Sequence, residues 1–240
     1  MIIEIFILAF LTIFQSIFGI GLLVFGTPTF LLLEYTFTET LSIVLPISCF
    51  VSLSQIIVSK KTNIKNFTSD FFKFSLPALI LSLPFAILIM SKTNINILIA
   101  IIMIVISILS IWKIKNSKNI YEKFKFKKMV FFFIGCVHGL TNLGGGLISI
   151  FSSFYYPENK IKIRYSIAVS YSIFSLFQLT ILFLLDSYYF RVEFLLFILI
   201  IPFIFFLSNL IFNKISKKNF SIYIYYIVLF YGLFVLIKNI

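Results

Sequence analysis

The sequence predicts an all-α integral membrane protein, a polytopic helical bundle made of two homologous halves. Three observations carry that prediction: an apolar composition, apolar runs of membrane-spanning length, and an internal match between the halves. Of the 240 residues 61% are hydrophobic and 12% charged, and the mean hydropathy is +1.12. A soluble domain of this length has too little interior to hide so much apolar surface. Apolar runs fall at about 2–33, 41–58, 74–91, 95–112, 129–157, 166–185, 194–213 and 220–237. About 20 apolar residues cover the hydrocarbon core as a helix, so most of these runs fit one crossing each. A transmembrane β-barrel would alternate apolar and polar residues instead. Continuous runs call for helices, which satisfy their backbone groups internally in lipid.

The net charge of +12 does not indicate a nucleic-acid partner. Lys and Arg sit between the apolar runs, where the positive-inside rule places them, and the bilayer is the expected partner. The basic stretches 59–73 and 113–128 read as solvated topology determinants. Cys49 and Cys136 lie within apolar runs and read as packing residues. Glu4 stands where a signal peptide would carry positive charge, and no small-residue cleavage site follows, so the N-terminus reads as part of the mature protein.

Sliding the chain against itself brings polar residues of the apolar runs into register. Gln15 falls on His138, Gly19 on Asn142 and Gly21 on Gly144. Leu53-Ser54-Gln55-Ile56 then falls on Leu176-Phe177-Gln178-Leu179, and after a short insertion Leu76-Pro77-Ala78 falls on Ile201-Pro202-Phe203. Residues 1–240 form a single transmembrane domain, with one repeat over about 1–113, a basic linker over 114–128 and a second repeat over about 129–240. Internal repeats of this kind are the common plan of secondary transporters.

The first segment of each half, 2–33 and 129–157, is too long for one ordinary span and is interrupted. The interruptions are Gly19-Ile20-Gly21, followed by Gly26-Thr27-Pro28, and Asn142-Leu143-Gly144-Gly145-Gly146. Each glycine costs a helix about 1 kcal/mol against alanine, so such runs break helices rather than continue them. After the first break only about 12 residues remain before Glu34, too few to cross a bilayer. Both segments are therefore expected to be broken or re-entrant hairpins, followed by three true spans per half. An odd number of spans inverts the second half relative to the first. With both termini outside, loops 59–73, 113–128, 158–164 and 214–218 fall inside and leave only Lys92, Arg191 and Lys238 of the 20 basic residues outside. Eight full spans separate the charges poorly. No Lys or Arg is expected deep within a span, Arg164 being counted with loop 158–164.

These residues resemble the sulfite exporter TauE/SafE family of membrane transporters, in which each half opens on a pattern like G-x-G-G-G followed by a proline. Here the first copy is Gly19-Ile20-Gly21-Leu22-Leu23 with Pro28, and the second is Asn142-Leu143-Gly144-Gly145-Gly146-Leu147-Ile148-Ser149. The first copy lacks two of the glycines, and Phe151 stands where the second proline would fall. The resemblance implies transport of sulfite, sulfonates or other small organic or inorganic anions across the cell (inner) membrane. A non-transporting scaffold or assembly protein, or a carrier of a non-sulfur substrate, is the alternative.

If both hairpin tips reach the midplane, the N-termini of their second half-helices meet there and offer unpaired N–H groups to an anion. Gly19, Gly21, Gly144, Gly145 and Gly146 would let the ligand approach the backbone. Gln15, Gln55, Asn142 and Gln178 could donate amide hydrogens to oxyanions, or join neighbouring helices as structural glue. Ser48, Ser52, Ser170 and Ser175 are weaker candidates, because serine often bonds back to its own helix. His138, the only histidine, could contact the anion or carry a coupling proton, and could equally be a packing residue. A coupling cation and a homo-oligomer stay open. No cofactor, metal cluster or catalytic constellation is legible, so no enzyme is expected.

Overall fold

The computed structural model describes residues 2–59, 62–89, 97, 100–105, 107, 108, 111, 126–156, 159–185, 187–189, 194 and 196–238. Among these the chain is helical, with no strand. We number the helices in chain order. Helix α1 is Ile2–Phe18 and α2 is Leu22–Leu32, whose first turn, Leu22–Gly26, is a π turn. Helix α3 is Phe37–Val58. Helix α4 runs through Lys65–Asp70, a π turn at Phe71–Ser75, and Leu76–Ile89. The second half holds α5 (Lys127–Thr141), α6 (Gly144–Tyr155), α7 (Lys160–Leu184), α8 (Phe197–Lys214) and α9 (Lys217–Lys238). Most of the expected span 95–112, the linker, Lys92 and Arg191 lie outside the described residues.

Proline sets the irregular turns. Each π turn ends two residues before a proline, Pro28 or Pro77, and the 3₁₀ turn Phe197–Ile200 ends two before Pro202. Proline lacks an N–H, so the turn before it loses a donor and shifts register. In α2 hydroxyls replace what is lost: Thr27 donates to the Leu23 carbonyl at 2.8 Å and Thr29 to that of Phe25 at 2.6 Å.

The chain is a polytopic helical membrane protein. Helices α3, α4, α7 and α8 are long and apolar enough to span a bilayer. Their outer faces are greasy: Ile57, Leu81, Leu88, Leu184 and Leu199 are each at least 73% exposed. The interior is an apolar core that also encloses polar side chains, with Gln15, Ser48, Ser52, Gln55, His138, Asn142 and Gln178 all fully buried. Such burial suits a solvent of hydrocarbon, where polar groups must find partners inside the protein.

Both first segments fold back on themselves. Tyr35 donates to the Glu4 carboxylate at 3.1 Å, and Phe25 stacks edge-on to Phe14 at 5.3 Å, so α2 returns alongside α1. Phe151 likewise lies 4.8 Å from Phe131, bringing α6 back along α5. The two hairpins open toward opposite ends of the bundle. At one end Lys127 pairs with Asp70 at 3.0 Å, Phe67 packs on Tyr155 and Tyr156, and the Lys160 ammonium donates to the carbonyls of Phe212 and Ile215 at 2.8 Å. At the other end lie Glu4, Tyr35 and the capping box of Thr36 and Glu39, with Ser42 accepting from the Tyr189 N–H at 3.1 Å. The described lysines of 65–73, 127–128, 160–162 and 214 thus gather at one end.

Helices α3 and α7 cross at the centre, and each hairpin packs on the other half: α1 on α8, α5 on α4. Small residues permit the close approach. A Cβ on Gly135 would overlap the Ser75 carbonyl, and one on Gly139 would stand 3.0 Å from that of Leu79. Thr12 and Ser16 hold the matching places on α1.

Candidate functional site

The two breaks are built alike. Gly19 has φ +82° and Asn142 φ 61°, the left-handed conformation that closes a helix and that only glycine and asparagine adopt cheaply. The Gly19 N–H donates to the Gln15 carbonyl and that of Asn142 to the His138 carbonyl, each at 2.7 Å. Two residues on, the chain doubles back against its own first half-helix. A Cβ on Gly21 would meet the Leu11 carbonyl at 2.6 Å, and one on Gly144 would meet that of Ile134 at 2.7 Å. These are the same residue pairs that the sequence register aligns.

The side chains around the two breaks differ. In the first hairpin Gln15 is spent. Its Nε2 donates to the Ser48 carbonyl, the Ser48 hydroxyl and the Ser52 hydroxyl at 3.0–3.1 Å, while its Oε1 accepts the Leu22 N–H at 3.1 Å. It therefore caps α2 and ties the tip to α3. Gln55 closes the other side of the break, donating to the carbonyls of Gln15 at 2.7 Å and Ser16 at 3.2 Å. Its Oε1 has no partner.

In the second hairpin a polar chain runs between the halves. Asn142 Nδ2 donates to the Thr27 hydroxyl at 2.8 Å, and Gln178 Nε2 donates to Asn142 Oδ1 at 3.3 Å. Gln178 Oε1 is then an acceptor, so His138 donates to it from Nε2 at 3.1 Å. The imidazole stacks on Phe174 at 4.0 Å, and Nδ1 has no partner. Asn142, Gln178 and His138 thus sit together, and the Asn142 bond brings the two tips into contact. Gly146 also faces hairpin one, where a Cβ would stand 3.9 Å from the Val24 methyl.

Unspent donors occur in both hairpins: the Thr12 and Ser16 hydroxyls of α1 have no partner, and the second tip adds backbone groups to its own hydroxyls. The N–H groups of Gly144 and Gly145, at the start of α6, find no acceptor among the described residues, whereas that of Gly146 bonds to the Leu143 carbonyl at 3.0 Å. The Tyr171 hydroxyl lies against Gly145, so close that a Cβ there would collide with it, and it has no hydrogen-bond partner. The Ser175 hydroxyl, one turn farther along α7, has none either. Ser170, by contrast, bonds back to the Ser166 carbonyl at 2.9 Å. The tip residues Gly19, Gly21, Asn142, Gly144, Gly145 and Gly146 are all buried.

Sequence reasoning missed two participants and named Ser175, the match of Ser52, only as a weaker candidate. Tyr171 is the match of Ser48 in the repeat register, so the register itself was the available signal. Thr27 belongs to the Gly26-Thr27-Pro28 break but carried no assigned role. Arg164, counted with a loop, is 4% exposed and lies within α7. It sits near the end of that helix rather than deep within it, so what the loop count did not foresee is its burial. Phe212 and Asn209 of α8 cover this helix end, which hydropathy cannot reveal. Among the described residues no group of three His, Cys, Asp or Glu side chains gathers to hold a metal.

Residues 5–235 match the family model described as Sulfite exporter TauE/SafE, nearly the whole chain. Comparisons with curated proteins and with solved structures return no match.

Proposed function

The chain belongs to the Sulfite exporter TauE/SafE family, and from that premise we propose that it carries small oxyanions of the sulfite and sulfonate class across the cytoplasmic membrane. The observation that supports this reading best is the set of unspent donors at the second tip. A buried donor left without an acceptor costs about 1–3 kcal/mol. The Gly144 and Gly145 N–H groups and the Tyr171 and Ser175 hydroxyls are four such donors on facing elements. An oxyanion accepting from them recovers that cost and lies at the positive end of α6, where a helix favours negative charge. Gly145 has no Cβ to hold Tyr171 away from that end. Gln15, Gly19 and Gly21 of the first hairpin and Gln55 of α3 then frame the site from one side, while His138, Asn142 and Gln178 fix the second tip.

Two homologous halves of opposite orientation accompany this reading. Hairpins opening to opposite ends around one central site suit alternating access, in which one half rocks against the other. The end rich in lysine faces the cytoplasm under the positive-inside rule, which leaves both termini outside. A reporter fused after Ile240 that is active only outside the cell agrees with this orientation, and one active only inside contradicts it. His138 is the group proposed for proton coupling; a flux constant between about pH 5 and pH 8 removes that role. The function itself is tested by saturable sulfite flux in proteoliposomes holding the purified protein. Folded protein without flux of sulfite, sulfonates or organic anions would leave the scaffold reading in its place.

A further inference from the structure

Arg164 is a buried guanidinium without an anion. Its Nη2 donates to Asn209 Oδ1 at 3.1 Å, and its Nη1 reaches the Ser16 carbonyl at 3.4 Å. Its Cζ lies 3.6 Å from the centre of the Phe212 ring. No carboxylate pairs with it among the described residues. Guanidinium carries five N–H donors, so most of its capacity is unused. Removing an ion from water costs several kcal/mol, and two neutral acceptors with one aromatic face offset only part of that. Its bond to the Ser16 carbonyl, which also accepts from Gln55, caps α1 with a single long contact and leaves the other donors of the fork unused.

Its position suggests what it is for. Arg164, Ala168, Tyr171, Ser175 and Gln178 recur every three or four residues and so form one buried stripe along α7. Ile167, one turn from Arg164, touches Gly19 at the first tip, and Tyr171 touches Gly145 at the second. Seven residues of helix separate Arg164 from Tyr171, about 10 Å along the axis. Arg164 lies on the side of the lysine-rich end, one turn from Lys160. An anion moving between that end and the second tip would therefore meet this fork first. Its planar donors match two oxygens of one oxyanion, as found in sulfite, sulfonates and carboxylates.

We propose that Arg164 forms an anion subsite at the lysine-rich end of the carrier, one that takes up the oxyanion before it reaches the hairpin tips. This rests on the reading of the protein as an anion carrier, and the test keeps the two separable. Purified wild-type protein, Arg164→Gln and Arg164→Lys are compared by sulfite flux in proteoliposomes and by thermal unfolding in detergent with and without sulfite. The expected result is a KM raised about tenfold or more in Arg164→Gln, with kcat changed less and with partial recovery in Arg164→Lys. Sulfite should also raise the unfolding temperature of the wild type but not of Arg164→Gln. A wild-type KM in Arg164→Gln overturns the subsite and leaves the carrier reading standing. A variant that only unfolds earlier, with sulfite stabilising it as it does the wild type, also overturns the subsite. Wild-type protein that shows no flux yet is stabilised by sulfite through Arg164 would keep the subsite while the carrier reading fails.

Discussion

The two hairpins share a backbone and differ in what their side chains leave over. Both break at a left-handed residue, Gly19 or Asn142, and both fold back onto the residue four before it. In the first hairpin Gln15 accepts from the Leu22 N–H and the Ser48 hydroxyl and donates to the hydroxyl oxygens of Ser48 and Ser52. In the second, His138 turns to Gln178 instead, and Tyr171 and Ser175 stand where those serines would be, with hydroxyls free. Gln15 therefore latches the first tip to α3, although the Ser16 hydroxyl beside it is also without a partner, while the second tip, which adds free N–H groups, is the receptor of the proposed reading. The same contrast accounts for the glycines: where Gln15 caps the tip, leucines at 22 and 23 do no harm, whereas Gly145 must admit Tyr171 at close range.

Four substitutions test this contrast, in falling order of effect. Gln15→Ala strips the latch of its acceptor and donors and leaves a cavity, and should cost about 2–4 kcal/mol in thermal unfolding. A loss below about 0.5 kcal/mol would show that the first tip is not held this way. Gly144→Ala drives a methyl into the His138 side chain and the Ile134 carbonyl. It should cost about 1–3 kcal/mol by the same measurement, the usual range for overpacking. Tyr171→Phe removes an unpaired hydroxyl and leaves the ring. Stability should hold or rise by up to about 1 kcal/mol while the KM for sulfite rises about tenfold. Gly146→Ala meets only ordinary contact with Val24 and should lie within about 0.5 kcal/mol of wild type. A larger loss there would mean that the tips press together more tightly than the geometry shows.

Much of the fold was legible because backbone demands leave marks on residue type. A left-handed helix stop calls for glycine or asparagine, and both stops, Gly19 and Asn142, fall at positions that the sequence register aligns. Apolar length marked α3, α4, α7 and α8 as long enough to span, and the charge pattern grouped at one end the described lysines of 65–73, 127–128, 160–162 and 214. Hydrogen-bond allegiance left no such mark. Gln15, Gln55 and Gln178 look equivalent as sequence, yet Gln15 and Gln55 bond to the first break while Gln178 orders the second. Arg164 was illegible for a related reason: a residue at a helix end is loop-like or interior depending on the neighbour that covers it. Here that neighbour is α8, some 45 residues away along the chain.

The division between latch and receptor is tested most directly by sulfite-dependent stabilisation of Tyr171→Phe beside that of the wild type, in one detergent and across one sulfite range. The variant is expected to unfold at or above the wild-type temperature without sulfite and to need about tenfold more sulfite for the same upward shift. A variant that responds to sulfite as the wild type does would contradict the division.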